Sequence, residues 1–337
     1  MIAVTKLQKA QQTNRSHICL GLDIDPKKMP SANSGSLKGM FDFVHEIIQA
    51  TSDQVCAYKP NLAFYESHGP DGLALLQLIV ERIPENIPII IDGKRNDIGN
   101  TATQYANALF ERYLADWVTI NPYMGYDSVR PFLDYKDKGV FILCLTSNAG
   151  SRDFQLLEVD GKPLYKIVAE RVNSWNKDNN CGLVVGATHP EQLREIRAIA
   201  GDMPILIPGV GAQGGSLEKA IDAGTDSFHK LGLVNVSRSV LYASNGTDFA
   251  EKARQEVIKL NEIVTRVRYG DDKSKEAGQP SVPQTDKQKP MPATNDKSEA
   301  AQRTETQSPA PTETNQMPPA APPERTPDDS DANRPPT

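Results

Sequence analysis

Several features that would place a chain in a class at once are missing from these 337 residues. The opening stretch MIAVTKLQKAQQTNRS has no apolar core of the kind a secretory signal needs, and no apolar run approaches a membrane span. No stripe or block of Lys and Arg offers a footprint for nucleic acid or an anionic membrane, and the formal net charge is −6. Cys19, Cys56, Cys144 and Cys181 each stand alone inside an apolar run, without metal-ligand spacing, and read as small buried hydrophobes. His17, His45, His68, His189 and His229 are likewise scattered without ligand spacing, so surface or core roles are expected of them and no metal site. These absences fit a reduced, cytoplasmic compartment, and no nucleic-acid or membrane partner is expected.

Aromatic and large aliphatic residues are scarce in one region only. Residues 271–337 hold 13 of the 25 prolines, no aromatic residue, and Val282 as the sole member of the Ile, Leu, Val and Phe set. Such a segment buries too little apolar surface to offset its ordering entropy and is expected to be a disordered low-complexity tail, compatible with a linker, an interaction segment or inert sequence. It carries −4 of the charge, which leaves the rest near −2. Residues 1–270 then form one domain of the size of a single barrel.

Within that domain eight short runs rich in β-branched and apolar residues recur: HICLGLD (17–23), VCAYK (55–59), IPIIID (87–92), WVTINP (117–122), VFILCLT (140–146), CGLVVGA (181–187), PILIPG (204–209) and LGLVNVS (231–237). Most are continuously apolar, the pattern of parallel strands covered on both faces. Segments with apolar residues at helical spacing lie between them; only residues 128–135 fail to convince. Eight β/α units predict a (β/α)8 TIM barrel over an open doubly wound sheet. The first strand is followed by GLDIDPKKMP and not by the glycine fingerprint of a dinucleotide site.

A barrel directs attention to the C-terminal ends of its strands. These carry Asp23, Lys59, Asp92 with Lys94, Asn121, Thr146 with Ser147, Thr188, the loop GVGAQGG (209–215) and Ser237 with Arg238. The run IIIDGKRNDIGNT (89–101) passes from oily strand to alternating charge. A solvated Asp-Gly turn explains it in isolation. A rim of charged and hydroxyl residues is what such a turn would not predict. If the chain stays extended, Asp92 and Lys94 point the same way, into the barrel mouth, and keep each other ionised. A protonated lysine is a cation and proton donor, which counts against Schiff-base chemistry. Asp97 and Asn100 are also placed to cap the next helix.

The glycine loop PGVGAQGGSLEKA (208–220) runs into a helix, so its backbone N–H groups, those around Gly211 included, can face an anion. Gln213 adds a donor, Arg238 a planar fork suited to phosphate, and the glycines let the loop hinge as a lid.

At this point the sequence resembles a known family. IDGKRNDIGNTA is similar to the Asp-x-Lys-x-x-Asp signature of orotidine 5′-phosphate decarboxylases. GLDIDP, YKPNLAFYE, LTSNAG, VVGATHPEQL, PGVGAQGG and VSRSVLYAS resemble the family's other blocks, in its order, over residues 15–265. The longer bacterial-type branch fits best, with its insertion around SNAGSRDFQLLEVDGKPLY. The resemblance implies conversion of orotidine 5′-phosphate to uridine 5′-phosphate and CO2 without metal or cofactor. It implies that Asp23 and Lys59 bind ribose hydroxyls, that Asp92 faces the substrate carboxylate and that Lys94 meets the carbon losing CO2. Ser147 would contact the pyrimidine, and Gly211, Gln213 and Arg238 the phosphate. Asp97 and Thr101 would reach into a partner's site, making the active unit a homodimer.

Two departures stand out. Gly93 and Asn96 occupy positions where this branch usually carries Ala and Gly, and Asn tolerates a left-handed backbone. Ser237 stands where other branches have Gly. The rival on the same scaffold is a metal-dependent sugar-phosphate decarboxylase or synthase, which places a metal-binding Glu where Lys59 stands. The rival of another class is a non-catalytic phosphate-binding barrel. Thr188 with Glu191 matches a capping box before PEQLREI. Asn121 is as well placed to bond backbone as substrate, and Trp117 and Trp175 read as packing.

Overall fold

All eight apolar runs form strands, and all are parallel. They are β1 (Ile18–Gly21), β2 (Ala57–Lys59), β3 (Ile90–Arg95), β4 (Trp117–Ile120), β5 (Gly139–Leu145), β6 (Cys181–Val185), β7 (Ile205–Ile207) and β8 (Gly232–Val236). The computed structural model describes residues 2–30, 33, 35–211, 214–226, 228 and 230–269. The expectations for residues 271–337, Gln213 and His229 fall outside the described residues. Each strand pairs with its sequence neighbour, and β8 returns to β1 with Ile18 opposite Val234 and Leu20 opposite Val236. Between β2 and β3 the contact is reduced to bridges at Tyr58–Ile89 and Asn61–Asp92, which close the ring. The architecture is the (β/α)8 barrel expected from the alternation of elements.

The strands are apolar on both sides because both are covered. Along β4, Trp117 points inward and Val118 packs outward against the helices. The inner layer comprises Cys19, Ala57, Ile90, Trp117, Phe141, Val184, Leu206 and Leu233. Trp117 and Phe141 lie 4.5 Å apart, centroid to centroid. Gly139 is required there: a Cβ on it would sit 2.2 Å from the Trp117 ring. Both tryptophans are packing residues as expected, Trp175 lying against Tyr126 at 5.5 Å. All four cysteines are buried and unpaired, and burial pushes the Cys19 and Cys181 thiols up to about 12.

Sequence periodicity carried no expectation for the first sixteen residues, which fold as a helix over Ala3–Thr13. Its buried face, Ala3 and Leu7, joins the inner layer and closes the N-terminal end of the barrel. Polar residues tie it down: Lys6 Nζ pairs with Asp116 at 2.6 Å, and the Gln11 amide donates to Gly232 O at 3.0 Å and accepts from Leu231 N at 3.2 Å.

Other helices follow the sequence closely. Leu37–Thr51 is capped by Ser36, whose hydroxyl accepts from Gly39 N, and Leu217–Gly224 by Ser216 in the same way. Residues 128–135, unconvincing in sequence, lie mostly within a helix over Tyr126–Leu133; Pro131 sits inside it, so the helix forms despite lacking the bond that a backbone N–H at 131 would donate to Asp127 O. The helix from Gly99 runs to Asn107 and then widens into a π turn over Ala108–Arg112. The insertion after β5 contains a two-stranded hairpin, Glu158–Val159 with Lys162–Pro163, turned by Asp160 and Gly161, both with positive φ.

Candidate active site

The charged run is not a turn beyond the strand; it is the end of β3 itself. Ile91 pairs with Val118 and Arg95 with Ile120, so residues 92–94 of β3 face the single residue Thr119 of β4. Two extra residues are absorbed as a bulge, which bends the strand and re-aims its side chains. Lys94 takes the strain, with φ of +45°. A left-handed backbone costs a residue with a Cβ about 1–2 kcal/mol, so the surroundings must hold it. They do so on both sides. Lys94 N–H donates to Thr119 Oγ1 at 3.0 Å, Asn121 N–H donates to Arg95 O at 3.0 Å, and the Arg95 guanidinium pairs with Glu66 and lies 5.2 Å from the centre of the Tyr105 ring.

This corrects two expectations. Asp92 and Lys94 do converge, but through the bulge and not through the alternation of an extended chain. The left-handed residue is Lys94, while Asn96 is absent from the positive-φ positions. Sequence had placed the strain two residues too late.

Asp92 is the centre of the array. Its Oδ2 accepts from Lys59 Nζ at 2.7 Å, and its Oδ1 accepts from Lys94 Nζ at 2.6 Å and from Thr119 Oγ1 at 2.8 Å. Asp92 and Lys59 are both buried, while the Lys94 side chain is 46% exposed and faces the open mouth. Burial alone would raise the Asp92 pKa, but the charges of Lys59 and Lys94 outweigh it and hold the carboxyl well below the usual carboxylate range. Burial likewise works against the Lys59 ammonium, and the charges of Asp92 and Asp23 outweigh it, so the amine is held above its ordinary value. The two directions agree: this is a fully ionised pair in a dry setting.

Around the array, polar atoms are buried without partners among the described residues: Asp23 Oδ1, Ser147 Oγ, Thr188 Oγ1, Asn235 Oδ1 and Ser237 Oγ. In a finished core such atoms are rare, and here they belong to strand ends on one rim. Ser147 lies over Gly186, where a Cβ would sit 2.1 Å from its Oγ; neighbouring Thr146 is instead held in the fold by Gln155, which takes its N–H at 2.8 Å. Ser237 fits because Gly21 on β1 leaves room for it, a Cβ there falling 2.9 Å from Ser237 Cβ. Thr188 forms no capping bond. The helix Pro190–Ala200 starts after His189 without a side-chain cap, so the capping-box reading of Thr188 and Glu191 is wrong. Asn121 bonds backbone, its Oδ1 accepting from Tyr123 N at 3.0 Å.

The glycine loop after β7 turns on Gly209, Gly211 and Gly214, all with positive φ, and closes on itself through Gly214 N–H to Gly211 O at 2.8 Å and Gly215 N–H to Gly209 O at 3.1 Å. Arg238 lies just beyond the end of β8, as the first residue of a short helix, Arg238–Leu241. Its side chain is exposed and forms no ion pair among the described residues. Asp97 does not cap the helix over Gly99–Asn107; its Oδ1 accepts from Ile98 N at 2.8 Å, and it makes no ion pair among the described residues. Thr101 is exposed in the first turn of that helix.

Sequence reading missed Thr119, Asn235 and Tyr242. The first two had a signal: Thr119 lies two positions beyond inward Trp117, and Asn235 two beyond inward Leu233, so both face the barrel interior near its upper end. Tyr242 had none. Its hydroxyl accepts from Asp25 N at 2.6 Å and donates to Asp23 O at 3.0 Å, fastening the loop that carries Asp23 to the helix that carries Arg238.

With this geometry in view, comparisons with known proteins are specific. The profile of the orotidine 5′-phosphate decarboxylase / HUMPS family matches residues 16–253. An orotidine 5′-phosphate decarboxylase of Cupriavidus necator is 47% identical over 272 residues, covering 80% of this chain and all of its own. One from Dehalococcoides mccartyi is 45% identical over 267 residues, 78% of this chain and 97% of its own. Among solved structures, the OMP decarboxylase of Leishmania donovani superposes with a TM-score of 0.69 at 38% identity, covering 78% of this chain and 99% of that one.

Proposed function

The chain belongs to the orotidine 5′-phosphate decarboxylase / HUMPS family, and from that premise we propose how its residues turn orotidine 5′-phosphate into uridine 5′-phosphate and CO2. The enzyme is a carboxy-lyase of pyrimidine nucleotide synthesis. Loss of CO2 leaves an electron pair in the plane of the ring at C6, with no conjugated carbonyl to take it up, so the protein must supply a field that favours the anion. Lys94 supplies it. Its ammonium is held at the mouth by Asp92, 2.6 Å away, before any substrate arrives, which is electrostatic preorganisation. The same group then protonates C6. The observation that carries this assignment is the Lys59–Asp92–Lys94 chain of ion pairs, its first two members buried and its third at the open mouth, at the C-terminal end of a closed barrel.

The remaining roles rest on the family's pattern, supported at Asp23 and Ser147 by their unpartnered buried oxygens. Asp23 and Lys59 hold ribose hydroxyls, and Ser147 meets the pyrimidine edge. Arg238, Gln213 and the backbone around Gly211 take the phosphate, whose binding energy closes the loop and orders the charges. Asp97 and Thr101 of one subunit complete the site of its partner in a homodimer. Supporting that reading, Asp97 has no cation of its own among the described residues, and exposed Ile98, Tyr123 and Met124 give this rim an apolar surface. Four unpaired cysteines fit a reducing, cytoplasmic setting. The metal-dependent reading is disfavoured by Lys59, a buried ammonium where a divalent cation would have to sit.

The test is direct. Purified protein mixed with orotidine 5′-phosphate is expected to abolish the orotidylate absorbance, at the same rate with and without a strong chelator. Unchanged absorbance refutes the decarboxylase assignment, and loss of rate with chelator restores the metal-dependent rival.

A further inference from the structure

We propose that Thr119 is a positioning residue of the reaction, whose buried hydroxyl sets where the Lys94 ammonium stands. The proposal rests on the decarboxylase reading above. Its basis is a closed loop of three hydrogen bonds. Lys94 N–H donates to Thr119 Oγ1 at 3.0 Å, Thr119 Oγ1 donates to Asp92 Oδ1 at 2.8 Å, and Lys94 Nζ donates to that same Oδ1 at 2.6 Å. The polarity is fixed. A backbone N–H only donates, so the Thr119 oxygen accepts from it and its one proton goes to the carboxylate. One carboxylate oxygen thus meets both ends of the same lysine, the side chain directly and the backbone through a hydroxyl.

Lys94 needs such a tether. Its side chain is 46% exposed, so packing does little to place it, and its backbone sits at φ of +45°, which a lysine holds only under constraint. Thr119, 1% exposed, is itself well placed to impose one. It lies on β4 opposite the bulge, and its branched Cβ restricts χ1 in a strand. A β-branched residue at an inward strand position is also ordinary barrel filling, which valine would satisfy equally. Valine therefore separates the two roles, because it keeps the shape and removes the hydroxyl.

The experiment compares Thr119→Val and Thr119→Ser with wild type in the full chain, by steady-state kinetics on orotidine 5′-phosphate, kcat against pH, thermal unfolding and a crystal structure. The valine variant is expected to lose on the order of 10- to 100-fold in kcat, the scale of one hydrogen bond to a charged group, with KM within about threefold of wild type. Serine should restore most of the loss. The Asp92 carboxyl should shift upward in the valine variant, since a donor to the carboxylate is gone, so any acid limb of the kcat profile moves to higher pH and never to lower. The other groups facing Asp92 are Lys59 of β2 and Lys94 of β3, with Asp23 and Cys19 beyond Lys59, and all are unchanged in the variant. Wild-type kcat in Thr119→Val overturns the proposal, as does a loss that serine fails to restore and that tracks a lower Tm. Should the wild-type protein leave orotidine 5′-phosphate untouched, the decarboxylase reading fails separately. In the crystal structure of the valine variant of an active enzyme, Lys94 displaced from Asp92 supports the positioning role, and Lys94 unmoved at φ near +45° refutes it.

Discussion

At the N-terminal end of the barrel Trp117 and Phe141 fill the interior, Leu7 covers them, and the polar side chains nearby are paired, Lys6 with Asp116 and Gln11 with the backbone of Leu231 and Gly232. Two residues further along the same strand the character reverses. Thr119 bonds Asp92, which pairs with Lys59, and the rim above them keeps Asp23, Ser147, Thr188, Asn235 and Ser237 each with a buried oxygen that no described residue satisfies. One end is arranged as a core is arranged; the other leaves polar groups waiting for something to pair with. A single strand, β4, contributes to both. The difference shows that satisfied and unsatisfied polar groups are segregated along the strand axis within about one inward layer, the division this fold makes between its stabilising and its functional ends.

Substitutions at the two ends should therefore fail in opposite ways. The largest effect belongs to Lys94→Ala, expected to lower kcat on the order of 10^4-fold or more, since it removes both the preorganised charge and the proton donor. Its melting temperature should change by no more than about 5 °C, because a half-exposed ion pair adds little to stability. Near-normal turnover would erase the contrast between the ends. Trp117→Ala attacks the other end and should lower stability by about 3–5 kcal/mol through the cavity left beside Phe141, read by denaturant unfolding. Its KM, measured on the folded fraction, should stay close to wild type; a large KM change would mean that the layers are mechanically coupled. Arg238→Ala is the mildest of the three. It should weaken uridine 5′-phosphate binding roughly 10- to 100-fold by calorimetry while leaving Tm unchanged, and wild-type affinity would remove Arg238 from the phosphate site.

How far the sequence reached differs by element. The eight strands were legible because parallel strands covered on both faces are continuously apolar, and their order followed from sequential β/α units. The helix over Ala3–Thr13 was not: its face is mixed, Ala3, Leu7, Ala10 and Gln11, and only contact with the barrel floor makes it a stopper. At the strand ends, Asp92, Lys94 and Lys59 were picked out because charge there is conspicuous, and the structure brings the three together. Thr119 and Asn235 hid in apolar runs as ordinary strand residues. The supposed capping box at Thr188 satisfied a spacing rule that the backbone at His189 does not follow.

Sequence alone, then, determined the barrel, which strand ends bear charge, and the chemistry those charges can perform, because periodicity and residue type are local properties. Only the tertiary structure decided that Asp92 and Lys94 meet across a bulge, that the strain falls on Lys94, and that Thr119 stands opposite both. Those facts depend on register between neighbouring strands, and register is set by how many residues each strand spends against its neighbour, a quantity that neither strand carries by itself.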